Sequence, residues 1–287
     1  GLPKGVLNVV TGLGTEAGAA LSSHPGIHHI SFTGSVGIGK LIQKAAGNNI
    51  VPVTLELGGK SPQIIFDDAD LDAALPFLVN GGIQNAGQTC SAGTRILIQR
   101  GVYEKVIKMM CSKISLLKVG SAIDDLDLGP LISPKQKIVV ERYIAHGVES
   151  GLKIAAQGLI SDDCPSAGCY VLPTLFRDVP PDHKLAQEEI FGPIQVAIPF
   201  DTEEEAVNLA NGTEFGLVTG VWTRDGSRQL RMAKAIKAGQ IFINNYGAGG
   251  GVELPFGGVG KSGFGREKGF EALYGFSVLK TIAAYHG

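Results

Sequence analysis

Residues 27–57 read IHHISFTGSVGIGKLIQKAAGNNIVPVTLEL. An apolar run from Ile27 to Thr33 reads as a buried strand and ends in two small residues, Gly34 and Ser35. Helical spacing follows from Gly37 to Ala46, then a second strand from Val51 to Leu57. Strand, helix and strand in this order predict a parallel α/β layer.

The same alternation extends in both directions. Upstream, Val6 to Val10 reads as a strand and Glu16 to Ser22 as a short helix. Downstream, helical periodicity marks Asp70 to Gln84, Tyr103 to Leu117, Ser133 to Ser150, Glu203 to Asn211 and Ser227 to Ile236. Pro134 suits the first turn of its helix, where no backbone N–H is needed. Strands are predicted at Arg95 to Gln99, Leu217 to Thr223 and Ile241 to Asn244. Ser161 to Gly168 is polar and turn-rich, Tyr246 to Gly269 is Gly-rich and mostly loop, and Ser277 to Tyr285 reads as an exposed final strand.

Composition bounds what such a fold could do. Hydrophobic residues make up 44% of the 287 and charged residues 18%, which favours a packed core over disorder. The formal net charge is -2 with no basic block, so nucleic acid is a poor partner. No run of 18 apolar residues predicts a membrane span. The four cysteines are scattered and form no C-x-x-C pair, and the histidines show no ligand spacing, so neither a disulfide framework nor a metal site is expected. A reducing, cytoplasmic setting fits this cysteine usage.

Five stretches could carry chemistry. At Thr33-Gly34-Ser35, followed by Gly37 and Gly39, a strand ends and a helix begins. Helix N-terminal N–H groups there could hold a phosphate, or the segment is a plain turn. Cys90, in Asn85-Ala86-Gly87-Gln88-Thr89-Cys90-Ser91, lies in a polar loop between a helix and a strand. Such a loop could stabilise a thiolate, although single cysteines are usually inert. Glu56 lies inside an apolar strand. Burial there would raise its pKa towards the range of a general base, unless Lys60 pairs with it. Glu189 and Phe191, before Gly192-Pro193, could bind a ribose and a flat ring, or simply close an acidic helix. The fifth stretch begins at Asn244-Asn245-Tyr246 and runs through glycines to Pro255-Phe256-Gly257-Gly258. It reads either as a functional loop or as a connector.

Taken together and in order, these stretches resemble the aldehyde dehydrogenase superfamily. Phe32-Thr33-Gly34-Ser35 is similar to its phosphate-contacting turn, and Leu55-Glu56-Leu57-Gly58-Gly59-Lys60 to its glutamate signature. Gly87-Gln88-Thr89-Cys90 resembles the cysteine signature, and Glu189-Ile190-Phe191-Gly192-Pro193 the nicotinamide-ribose motif. Pro255 to Gly258 with Lys261-Ser262-Gly263 resembles the late loop. The likeness covers essentially the whole chain but only the later part of a typical member. The family's upstream lysine, acidic ribose-binding residue and oxyanion asparagine have no counterpart here.

The resemblance implies an α/β architecture. Residues 1–57 would be the back part of a partial Rossmann-like parallel sheet, and 58–256 an α/β catalytic domain. Residues 257–276 would return to the cofactor domain, and 277–287 would form an oligomerisation strand. It implies an enzyme that oxidises an aldehyde to a free acid with NAD or NADP. Cys90 would be the nucleophile, forming a thiohemiacetal and then a thioester, and Glu56 the base that activates water. Thr33, Gly34, Ser35 and Gly39 would sit at the cofactor phosphates, with Glu189 and Phe191 at the nicotinamide ribose and ring. A homodimer or homotetramer is expected. Small residues at Gly247 to Gly251 predict a roomy entrance without an aromatic cage for quaternary ammonium groups. Two rivals stay open: an inactive remnant or assembly partner, and a cofactor-independent thiol esterase.

Overall fold

The computed structural model describes residues 1–247 and 251–287. A π-helical turn at Gly14–Gly18 opens into helix α1 (Ala19–Ser23), then strand β1 (Ile30–Thr33), helix α2 (Val36–Asn48) and strand β2 (Val53–Glu56). β1 and β2 run parallel, with Ile30 opposite Val53 and Thr33 opposite Glu56. The α/β layer predicted from residues 27–57 is therefore present. Ser35 caps α2, its Oγ accepting from Ile38 N at 3.4 Å, which is why the helix starts directly after the Thr33-Gly34 turn.

Strand β3 (Ser61–Ile65), helix α3 (Leu71–Ile83), strand β4 (Gly93–Gln99) and helix α4 (Tyr103–Ile114) follow. Then come β5 (Lys118–Val119), α5 (Pro134–Glu149), β6 (Lys153–Gln157), β7 (Leu159–Ile160), β8 (Thr174–Arg177), α6 (Lys184–Gln187) and β9 (Ile194–Phe200). Beyond these lie α7 (Glu203–Ala210), β10 (Phe215–Gly216), β11 (Val218–Trp222), α8 (Gly226–Ala235) and β12 (Gln240–Ile243). The chain ends with β13 (Val259–Gly260), β14 (Gly263–Phe264) and α9 (Glu271–Gly275).

Seven strands form one sheet in the order β12-β11-β3-β4-β9-β8-β6, parallel except for the antiparallel β6–β8 pair at one edge. Its middle is buried: Ile64, Ile96, Leu97, Val196 and Val221 are inaccessible to solvent. Burying one such side chain contributes about 1.5–3 kcal/mol. Helices start where polar side chains cap them. Asp70 takes the Ala73 N–H, Ser133 that of Gln136, Thr202 that of Glu205, and Asp225 those of Ser227 and Arg228.

β14 returns from the end of the chain and pairs antiparallel with β2, setting Gly263 opposite Glu56. The order β1-β2-β14 makes a second, three-stranded sheet.

Two expected strands are not formed. Val6 to Val10 and Ser277 to Tyr285 join no ladder, and Val9, Val10, Leu279 and Tyr285 are exposed. Apolar content alone does not make a strand; each segment lacks a neighbouring backbone within the chain to bond with. Among the described strands of four residues or more, β3, β6, β8 and β9 carry no expectation from the sequence. Among the described residues no helix is long and apolar enough to cross a membrane, and no cluster of three His, Cys, Asp or Glu could hold a metal ion.

Candidate active site

The end of β2 runs through Leu57-Gly58-Gly59-Lys60 directly into β3, so this segment joins the two sheets. Glu56 lies at that junction and is 3% exposed. Neither carboxylate oxygen has a hydrogen-bond partner among the described residues. Burial, reinforced by the neighbouring charge of Glu267, raises its pKa from 4.5 to about 8, against a smaller opposing pull from Arg266. An ion pair with Lys60 is not formed. Lys60 is 2% exposed and its Nζ is also unpartnered. Burial and the charge of Arg95 lower its pKa to about 7. Arg95, buried beside it, bonds the carbonyls of Lys60, Leu209 and Ala210.

The late loop covers Glu56. A Cβ on Gly257 would lie 2.7 Å from Glu56 Oε1, and one on Gly265 2.8 Å from Thr54 Cγ2. Gly257 and Gly265 have φ of 155° and 86°. Ser262 fastens the loop: its Oγ donates to the Gly58 carbonyl at 2.7 Å, and its carbonyl accepts from Leu57 N at 3.0 Å. The motif around Lys261-Ser262-Gly263 is thus a clamp on the strand that carries Glu56.

Cys90 reaches the same junction from the other sheet. It follows α3 and the short helical turn Gln84–Gly87, and precedes β4. Asn85, Ala86 and Gly87 hold φ of 52°, 55° and 74°, three left-handed residues in succession. Non-glycine residues held this way cost about 1–3 kcal/mol each and need surrounding contacts to persist. Those contacts are visible. A Cβ on Gly87 would strike the backbone of Gly192 and Pro193, and Gln88 Oε1 accepts from Ile132 N at 3.0 Å. The buried Tyr246 hydroxyl donates to the Ser91 carbonyl at 2.7 Å.

The Cys90 thiol is half-buried rather than sealed in the core. Burial pushes its pKa up, and the charges of Glu189 and Glu56 add to this, while the backbone N–H groups of Ser91 and Cys90 favour the thiolate. Two carboxylates therefore stand within electrostatic reach of one sulfur. Glu189 is half-buried, its Oε1 accepting from Gly59 N at 3.0 Å. Gly58 and Gly59 have no room for side chains: a Cβ on Gly58 would meet the Glu189 carboxylate, and one on Gly59 the Cys90 carbonyl.

The remaining expected positions fall around this centre. Gly34 N donates to the Glu56 carbonyl at 3.0 Å, so the Thr33-Gly34-Ser35 turn and the α2 N-terminus abut the base of the site. Gly39 is different in kind. It is buried, and a Cβ there would lie 2.6 Å from Leu57, so its missing side chain lets α2 pack on the junction. Phe191 keeps a φ of 58° and is 39% exposed, held by Gln136 Nε2 on its carbonyl at 2.8 Å. Of the glycines expected at the entrance, Ala248 is a neighbour and, with Gly249 and Gly250, lies outside the described residues. Glu267, Arg95 and Tyr143, whose hydroxyl donates to Glu188 at 2.5 Å, carry no local sequence signal.

A parallel α/β scaffold that sets a half-buried thiol within electrostatic reach of two carboxylates, beside a capped helix N-terminus, places the chain in a class of folds able to support thiol chemistry. Comparison with known proteins narrows that class. The model of the aldehyde dehydrogenase family matches residues 1–282. A betaine aldehyde dehydrogenase of Rhizobium leguminosarum bv. trifolii is 42% identical over 283 residues, spanning 98% of this chain and 58% of that protein. A crystal structure from Burkholderia cenocepacia, provisionally called an aldehyde dehydrogenase, superposes with a TM-score of 0.95 at 62% identity, covering 97% of this chain and 58% of the other. The NAD+ complex of an aldehyde dehydrogenase from Bacillus cereus gives a TM-score of 0.87 at 41% identity over 92% of this chain and 53% of its own. The chain belongs to the aldehyde dehydrogenase family. It spans little more than half the length of these relatives.

Proposed function

We propose that this chain carries the catalytic thiol and base of an NAD- or NADP-dependent aldehyde dehydrogenase that releases a free carboxylic acid. The observation that carries the proposal is the convergence of Glu56 and Glu189 on the half-buried Cys90. The residues present fit a nicotinamide cofactor. Glu189 uses one oxygen on Gly59 and leaves the other to accept from a ribose hydroxyl, and the Ser35-capped helix offers N–H groups to a phosphate.

Cys90 attacks the aldehyde carbon as thiolate, and the backbone N–H of Cys90 helps hold the resulting oxyanion. Bound NAD or NADP supplies the acceptor for the hydride whose loss turns the thiohemiacetal into a thioester. Glu56 then takes a proton from water, hydroxide adds to the acyl carbon, and the acid leaves as the Cys90 sulfur is regenerated. With a pKa near 8, Glu56 is mostly protonated at neutral pH, so deacylation should quicken as pH rises through about 8. The exposed apolar segment with Val278, Leu279, Ile282 and Tyr285 supports assembly with further copies, which would cover it.

The test is to trap the thioester. The intact product of the gene that encodes this chain, carrying Glu56→Gln, is mixed with an aldehyde and NAD or NADP and examined by mass spectrometry. An acyl mass on the peptide containing Cys90 is expected. Reduced cofactor formed without any such adduct would remove the proposal.

A further inference from the structure

A cleft of about 510 Å³ opens beside the Cys90 loop, lined among others by Asn80, Gln84, Asn85, Ser91, Asp127 and Tyr246. Its link to the thiol is short. Ser91 follows Cys90 in the chain, Asn85 belongs to the same loop, and the Tyr246 hydroxyl holds the Ser91 carbonyl. Cys90, Glu56, Glu189 and Gly58 are not among its lining residues, so the cleft adjoins the thiol loop through Ser91 and Asn85, apart from the two carboxylates.

We propose that this cleft selects aldehydes bearing hydroxyl groups, and that Asn80 and Gln84 read those hydroxyls. The inference deepens the dehydrogenase reading and rests on it. Asn80 in the last turn of α3 and Gln84 at its C-cap lie three and seven residues after Phe77, and all three line the cleft. Both carboxamides are exposed to the cleft rather than buried in the fold. A carboxamide donates and accepts, as a hydroxyl does, so the two match in both roles. An alkyl chain in the same place would strip water from these groups and return no hydrogen bond.

Charge narrows the class further. Among the described residues no lysine, arginine or histidine lines the cleft, so none of them would pair with a carboxylate-bearing aldehyde. Asp127, the acidic residue among those described there, is exposed and spends an oxygen on Lys118 N at 2.8 Å. The two aromatic rings do not form a cage. Phe77 leans on Trp222 with centroids 5.5 Å apart, and Tyr246 on Phe242 at 6.2 Å. A quaternary ammonium group would find no enclosing aromatic faces among the described residues.

The experiment compares kcat/KM, expressed per free unhydrated aldehyde, for glyceraldehyde, propanal, betaine aldehyde and succinic semialdehyde on the intact gene product. Glyceraldehyde should exceed propanal, its three-carbon analogue without hydroxyls, by about ten-fold or more. Asn80→Leu and Gln84→Leu should each lower that ratio, and the double variant should bring it near one with an unchanged melting temperature. Preference for propanal, betaine aldehyde or the semialdehyde would overturn the inference, as would a ratio unmoved in the double variant. No turnover of any aldehyde would instead overturn the dehydrogenase reading beneath it.

Discussion

Strand β4, in the middle of the seven-stranded sheet, is buried along all but its last residue, whereas β1 in the three-stranded sheet alternates between half-buried and exposed. The residues are of similar kind; what differs is the number of covered faces. β4 has β3 and β9 on its two edges and an inaccessible Ile96 and Ile98 beneath helices. β1 has one neighbour, and Ile38 and Leu41 of α2 stay exposed along an apolar trough of about 1010 Å³. The large sheet is therefore where burial is greatest, and the junction between the sheets is where the proposed chemistry would sit.

That division can be broken, and the largest lever lies at the junction. Cys90→Ala should lower kcat by about four orders of magnitude or more, as removal of an attacking group does, with the melting temperature hardly changed. Substantial turnover in this variant would detach the chemistry from the junction. Glu56→Gln should slow deacylation by about 10²–10⁴-fold and abolish the rise with pH near 8 in single-turnover release of the acid. A limb that persists would belong to another group.

The sheets themselves give the next contrast. Ile96→Ala should cost about 2–5 kcal/mol in denaturant unfolding. Ile38→Ala, on the exposed face of α2, should stay within about 0.5 kcal/mol of the parent. Equal costs would erase the distinction between closed and open layers.

The smallest effects sharpen the junction. Unfolded, Glu56 ionises near 4.5; folded, it holds its proton to about 8, so its burial works against folding increasingly as pH rises between those values. Lys60 does the reverse. Folded, it loses its proton near 7 rather than 10.5, so its burial opposes folding most below pH 7 and ceases to do so as pH approaches 10.5. Melting curves from pH 5 to 10 should show Glu56→Gln gaining on the parent as pH rises towards 8, and Lys60→Met gaining most at the acid end. Parallel curves for all three proteins would mean that neither group is desolvated.

Much of this was readable from residue order. Helices α2 to α5 were legible because each joins apolar periodicity to a capping Ser or Asp or a first-turn Pro or acid. Glu56 and Cys90 stood out against their surroundings, Glu189 only through the resemblance of its motif, and the structure gathers all three. The central strand β3 was hidden by Pro62, a residue that argues against a ladder interior; it is accommodated where the register with β4 shifts between Ser61 and Pro62. In β9 the pattern was masked likewise by Pro199, opposite Ile98. Glu267 was invisible for another reason. Its influence on Glu56 arises only because β14 folds back onto β2, a pairing of two residues with no periodicity to read.

The three left-handed residues before Cys90 bear on how the protein would fail on heating. Asn85, Ala86 and Gly87 keep their backbone against its own preference, with Gly87 packed on Gly192 and the following Gln88 and Ser91 bonded to Ile132 and Tyr246. Such a segment has the least to lose by opening, so thermal inactivation should set in several degrees before the sheet unfolds, and reversibly on cooling. The proposed nucleophile, Cys90, would then be the first part of the molecule to lose its aim, leaving a folded body with no turnover.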